Sequence, residues 1–296
     1  MNRRCFSLLF FIFISSTLSS QQNSKTNASL VNYSSKVRDA FKAGEWFKFK
    51  VYYGIFNACY ATLELKEEEY NGYKTFHAKG VGRTSGLTRF FFKIDDYYDS
   101  YFLSDVIKPV HFIRNINEGN YKKHITIDFS DNIASVTNII KGTQNKFKVN
   151  PNAQDLMSCF YFLRNHFDID KMTVGDTATV DMFFDQSNYE FKFKYLGKEK
   201  IKTKFGNVMA LKFRPFVVSG RVFRSSESIT LWISSDENKI PLKLKANLRV
   251  GSITVELDEF KGLKNPFDTV SYTHLRAHET REDLVLRLEL VKKNGG

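Results

Sequence analysis

From Trp46 to Leu257 the chain alternates, with apolar side chains returning at every second position in run after run. Phe47, Phe49 and Val51 oppose Trp46, Lys48 and Lys50, while Ala61, Leu63 and Leu65 share one side of the stretch from Ala58 to Lys66. Phe191, Phe193 and Tyr195 oppose Lys192 and Lys194. The rhythm returns at Ile229, Leu231 and Ile233, at Leu242, Leu244, Ala246 and Leu248, and at Ile253, Val255 and Leu257. A period of two sends successive side chains to opposite faces of extended backbone, so each run predicts a half-buried strand. Turn signals such as Asn71-Gly72, Glu118-Gly119-Asn120, Ser130-Asp131-Asn132 and Phe205-Gly206-Asn207 separate the runs. The 29 Phe and 14 Tyr residues, against 5 Pro, suit pleated sheet. A sheet of so many strands curls or closes to manage its edges. The expectation is an all-β domain over residues 37–269, a large curved antiparallel sheet forming an open barrel or spiral.

One segment breaks the rhythm. Asn150 suits an N-cap and Pro151 a first helical position, and Leu156, Cys159, Phe160 and Leu163 follow at helical spacing. One helix is expected over Asn152–Asn165, inserted between two sets of strands and plugging the curve. Leu156, Phe160 and Leu163 are expected to pack on the sheet. Asp155 in the first turn and Arg164 near the end are expected to pin the helix to it. A shorter helix is expected over Val37–Ala43.

The ends carry a different message. Met1-Asn2-Arg3-Arg4, the apolar run Cys5–Ile14 and the small residues Ser15–Ser20 form the order of a secretory signal peptide, with cleavage expected near Ser19 or Ser20. The run is too short to span a bilayer, which takes about 20 apolar residues, and no other segment qualifies as a transmembrane helix. Residues 21–36 are polar and read as a flexible leader. Val270 to Thr280 corresponds residue for residue to one reading frame of a transposase sequencing adapter, and Asp283 to Lys293 is a noisy copy of its downstream part. Residues 270–296 are therefore expected to be translated adapter, not a domain. His274 and His278, spaced like zinc ligands, are discounted with them.

The formal charge of +12 stays strongly positive without those ends. Lys is spread along strands, which reads as a solvated face, although an exported basic protein also meets anionic lipid or cell-wall polymer. Nucleic acid is not an expected partner. Cys59 and Cys159 follow no motif spacing, so two buried free thiols are favoured over a bridge. There is no nucleophile motif, phosphate loop or dinucleotide fingerprint, and His77, His111, His124 and His166 do not pair at ligand spacing. No catalytic residue, cofactor or metal is expected. Asp95, Asp96 and Asp99 are read as partners for Lys or Arg on neighbouring strands.

Several short motifs occur in a telling order: Gly44-Glu45, Tyr52-Tyr53-Gly54-Ile55-Phe56-Asn57-Ala58, Gly80-x-Gly-Arg-Thr84, Phe92-x-Ile-Asp-Asp96 and Asp99-Ser100-Tyr101. Asp155-x-x-Ser158-x-x-Tyr161-x-x-Arg164, Gly197-x-Glu199, Trp232-x-Ser-x-Asp236, Pro241 and Val250-Gly251-Ser252 follow. In this order they resemble the bacterial domain-of-unknown-function family 3108, in its Bacteroidetes form, over most of Gly44–Phe267. The resemblance implies an exported, β-rich envelope protein of the periplasm and no activity. At the level of fold the reading is similar to periplasmic lipoprotein carriers.

The functional expectation is a non-enzymatic envelope protein that binds an apolar or amphipathic component, a lipid or a lipoprotein acyl chain. The alternatives are a scaffold whose core is filled by its own helix and which meets an envelope protein or cell-wall polymer, and an enzyme of unrecognised type. The surplus of aromatic residues suggests a groove lined by Tyr52, Tyr53, Phe56, the run Phe90, Phe91 and Phe92, and Trp232. Arg83 and Arg89 are expected at its rim, facing phosphate or carboxylate headgroups.

Overall fold

The computed structural model describes residues 31, 36–216, 225 and 227–270. The expected signal peptide, most of the leader and nearly all of the adapter-like tail lie outside them. Eight strands come first: β1 (Trp46–Tyr53), β2 (Phe56–Tyr70), β3 (Tyr73–Thr84), β4 (Asp95–Leu103), β5 (Pro109–Glu118), β6 (Tyr121–Ser130), β7 (Ile133–Asn138) and β8 (Thr143–Lys148). Six follow: β9 (Thr177–Phe184), β10 (Ser187–Thr203), β11 (Gly206–Pro215), β12 (Ile229–Ser234), β13 (Pro241–Asn247) and β14 (Ser252–Lys261). A short helix α1 (Gly86–Phe91) joins β3 to β4, and α2 (Leu156–His166) lies between the two sets.

All fourteen strands form one antiparallel sheet in the order β8 to β1, then β14 to β9. Two meanders thus meet where β1 pairs with β14, and Val51 lies opposite Val255 there. The edges β8 and β9 share no ladder, so the sheet is open. The connection between them spans the gap instead. The Gln154 N–H donates to Asp181 O at 2.9 Å and the Phe183 N–H donates to Gln154 O at 2.9 Å, a parallel bridge onto β9.

That bridge explains where the helix starts. Residues 150–154 are committed to turn and extended backbone, so the helix begins at Leu156 and not at Asn152. Asp155, expected in the first turn, is the N-cap itself. The expected helix over Val37–Ala43 is absent; that stretch is irregular backbone between a bend at Val37 and a turn at Ala43, tied by Val37 and Ala40 N–H groups to Asn165.

The core lies inside the curve. Burial alternates along all of β4 and along β5 from Phe112 onward, where Tyr98, Phe102, Phe112 and Ile116 face inward. α2 packs among them and is buried on most of its surface. Tyr161 meets Phe41 edge to face and packs tilted against Phe102, with ring centroids 4.9 and 5.5 Å away. No helix of the described residues is long and apolar enough to cross a membrane.

Candidate functional site

α2 is held at both ends by buried polar groups. At its start, Asp155 Oδ1 accepts the N–H groups of Met157 and Ser158 at 2.7 and 2.8 Å, and Ser158 Oγ accepts the Asp155 N–H at 2.9 Å. This is a capping box with Ser in the place usually taken by Glu or Gln. Oδ2 accepts the Ser100 hydroxyl of β4 at 2.6 Å, which ties the cap to the sheet. Burial pushes the Asp155 carboxyl up to about 6, against the pull of its donors.

At the other end Arg164 donates to Glu45 Oε1 and Oε2 at 2.5 and 2.7 Å, to Asn238 O at 2.9 Å and to Ala40 O at 3.2 Å. The rings of Phe160 and Phe41 lie 5.0 and 5.2 Å from the guanidinium. Glu45 follows Gly44, whose φ of +88° is open to glycine and turns the chain into β1. The carbonyl of Gly44 in turn leaves no space for a Cβ at Gly262, 2.1 Å away.

Between α2 and the β9–β14 half of the sheet lies a cavity of about 240 Å³. Phe49 and Val51 of β1, Phe191 and Phe193 of β10, Phe213 of β11, and Leu231 and Ile233 of β12 line one side. Leu156, Met157, Cys159, Phe160 and Leu163 of α2 line the other. Phe49, Leu231, Ile233, Val255, Phe160 and Leu163 are only half-buried, so solvent reaches this space. The ionisable residues of the wall, besides Cys159, are cations: Arg38, Arg164, Lys239 and Lys243, with no carboxylate among them. Arg38 donates through Nη1 to Phe167 O at 2.5 Å, while its buried Nε has no hydrogen-bond partner among the described residues. Lys239 donates to Ser235 O and Asp236 O at 2.8 and 2.6 Å. Burial first, and then the Arg38 charge, lower its affinity for a proton.

Of the residues expected at the site, Leu156, Phe160, Leu163 and Arg164 line this cavity and Asp155 caps the helix beneath it. The expected groove residues do not come together around it. Leu231 and Ile233 take the inside of β12, so Trp232 points outward, where its indole donates to Glu199. Tyr52 borders a polar groove with Lys50, Lys202, Lys204, Glu256 and Asp258. Tyr53 donates to Val250 O at 3.0 Å. Phe90 and Phe91 end α1 and Phe92 is its C-cap, so the run is not a strand. Arg89 pairs with both oxygens of Asp95 at 3.0 Å, which holds that carboxyl below its ordinary range. Arg83 lies over the Tyr97 ring at 5.4 Å. Sequence reading missed Arg38, Glu45 and Lys239. Only the Gly44-Glu45 motif hinted at any of them.

A second set of ionisable groups converges away from the cavity. Arg114, fully buried, donates to Asp185 at 2.9 Å and stacks on Phe184 at 4.8 Å, which ties β5 to the β9–β10 turn across the interior. Lys123 also reaches Asp185. Asp96 accepts the Asn117 N–H at 3.0 Å, and burial raises its carboxyl above the usual range. None of these borders the cavity. Among the described residues no three His, Cys, Asp or Glu gather as metal ligands. Cys59 and Cys159 are free and buried.

No curated protein matches the chain. Among solved structures, a β-barrel-like protein of domain of unknown function DUF1849 from Brucella abortus aligns with TM-score 0.50 at 8% identity, over 77% of this chain and 100% of that one. A Parabacteroides distasonis protein provisionally described as a lipoprotein aligns with TM-score 0.34 at 14% identity, over 77% and 99%. The first likeness shows a β-barrel-like fold. The model of the family described as Protein of unknown function (DUF3108) matches residues 48–258, and the chain belongs to that family.

Proposed function

We propose that this is a non-enzymatic envelope protein that holds an apolar or amphipathic ligand, such as a lipid or lipoprotein acyl chain, in the cavity between α2 and the sheet. The observation that carries the reading is the cavity itself: an apolar wall edged by cations and free of carboxylates. Such a wall suits one apolar chain with an anionic head near Arg38 and Lys239. At about 240 Å³ the space falls just short of pockets for drug-sized ligands, roughly 300–1,000 Å³. That favours a single chain over a pair.

The test is titration of lipid-stripped protein with a fluorescent fatty acid. Saturable micromolar binding is expected. Ala61→Phe, which fills the cavity, should weaken it at least tenfold, and Arg38→Met should weaken a fatty acid more than the corresponding alcohol. Absence of saturable binding across several lipid classes would leave the scaffold reading. That second reading has its own support, because the interior beside β3 to β5 is filled by Tyr161, Phe41, Phe76 and Phe102.

A further inference from the structure

In an antiparallel meander the connections alternate between two ends. Because Tyr53 at the end of β1 pairs with Ile253 at the start of β14, the β1–β2, β3–β4, β5–β6, β7–β8, β9–β10, β11–β12 and β13–β14 connections all lie at one end. The five most exposed large apolar side chains among the described residues lie there. Ile55 is 87% exposed, Phe90 86%, Phe91 81%, Val250 76% and Phe56 71%. These five sit close together: Thr88 of α1 reaches Asn57 O at 3.5 Å, and Tyr53 bonds to Val250 O. Ile139 and Ile140 extend the same rim at the β7–β8 turn.

Cations dominate the free charge at this end. The stretches Gly54–Asn57, Gly86–Lys93, Gly119–Asn120, Ile139–Gly142 and Arg249–Gly251 contain Arg89, Lys93, Lys141 and Arg249, while the carboxylates that border this end are paired or buried: Asp95 with Arg89, Asp185 with Arg114 and Lys123, Glu227 with Arg214, and Glu118 out of solvent. The connections at the opposite end carry both signs, Asp105, Asp131, Asp236 and Glu237 beside Lys108, Lys204 and Lys239. Large apolar patches that stay exposed mark interaction surfaces, and apolar tips ringed by cations match the boundary between anionic headgroups and acyl chains. The geometry points to this rim as a docking face for an anionic phospholipid bilayer, with Ile55, Phe56, Phe90, Phe91 and Val250 entering the interface. The assignment does not depend on the cavity holding a ligand.

The full chain also carries the apolar run Cys5–Ile14, which could tether it by itself, so a local depth reporter carries the test. In a chain with Trp46→Phe and Trp232→Phe, Phe91→Trp is compared with Tyr73→Trp, at the opposite end, on vesicles of phosphatidylcholine with or without phosphatidylglycerol. With phosphatidylglycerol, the emission at position 91 should shift to the blue and be quenched by brominated acyl chains, and that at position 73 should not. Phe90→Ser with Phe91→Ser should lower vesicle partitioning at least tenfold, and added salt should lower that of the wild type. Absence of quenching at 91, or equal quenching at both positions, would overturn the assignment. So would a wild-type dimer in sedimentation that the double Ser variant converts to monomer, since the face would then belong to a second copy.

Discussion

The Glu45 carboxylate and the Arg164 guanidinium meet as a bidentate pair with both side chains out of solvent. One opens the first strand and the other ends the inserted helix, so this contact joins the sheet to its plug across 119 residues. A buried pair is costly to break one side at a time, because the survivor keeps its charge without a partner. Glu45→Gln or Arg164→Met should each lower stability by about 3–5 kcal/mol. Combining Arg164→Met with Glu45→Gln should cost less than the two single changes added together. Urea midpoints of the four proteins check this, and simple additivity would refute the coupling.

Asp155 gives the fold a pH dependence. Its carboxyl titrates near 6 when folded and near 3.8 ordinarily. Between those values the folded chain retains a proton that the unfolded chain releases, so stability falls as pH rises through the window and is highest below it. The span corresponds to a contribution on the order of 3 kcal/mol. Asp155→Asn keeps a side-chain oxygen for the Met157 and Ser158 N–H groups but cannot ionise. Relative to that variant, the wild type should gain stability as pH falls from 8 to 4. A loss over the same range would show that the cap stays ionised.

The hydroxyl of Tyr161 is buried without a hydrogen-bond partner among the described residues. Removing it in Tyr161→Phe should leave stability unchanged or raise it by about 1 kcal/mol, since an unsatisfied buried group is removed without creating a void. Phe162 is buried, whereas Leu163 is half-buried and faces the cavity. Phe162→Ala should therefore cost about 3–5 kcal/mol, and Leu163→Ala clearly less. Thermal melts of the three variants rank them.

Burial pushes the Cys59 thiol up to about 12 and raises Cys159 further. Neither should form thiolate near neutral pH, and neither should react with iodoacetamide until the chain unfolds. Peptide mapping of labelled protein, before and after urea, reads each site separately. Rapid labelling of Cys159 in the folded protein would mean that the cavity beside it admits the reagent and ionises the thiol.

Much of the sheet was legible in the sequence, because period two is a local property. Phe47, Phe49 and Val51 declared a strand without any partner, and Asn71-Gly72 declared a turn. The break in that period announced a helix, and short turns made antiparallel pairing the economical topology. What period two cannot state is which face becomes the inside. Leu231 and Ile233 keep the phase that Ile229 sets, which leaves Trp232 on the other face, and only the curve of the sheet decides that the first face lines a cavity. The helix start was misplaced for a similar reason: Pro151 suits a first turn, but residues 150–154 are needed to bridge two sheet edges far apart in the folding pattern. The pairing of Glu45 with Arg164, the lone Nε of Arg38 and the gathering of Ile55, Phe90 and Val250 at one end join distant positions. Local sequence determined the strands; closure of the two meanders at β1 and β14 decided the site, because long-range contacts exist only once the sheet has curved.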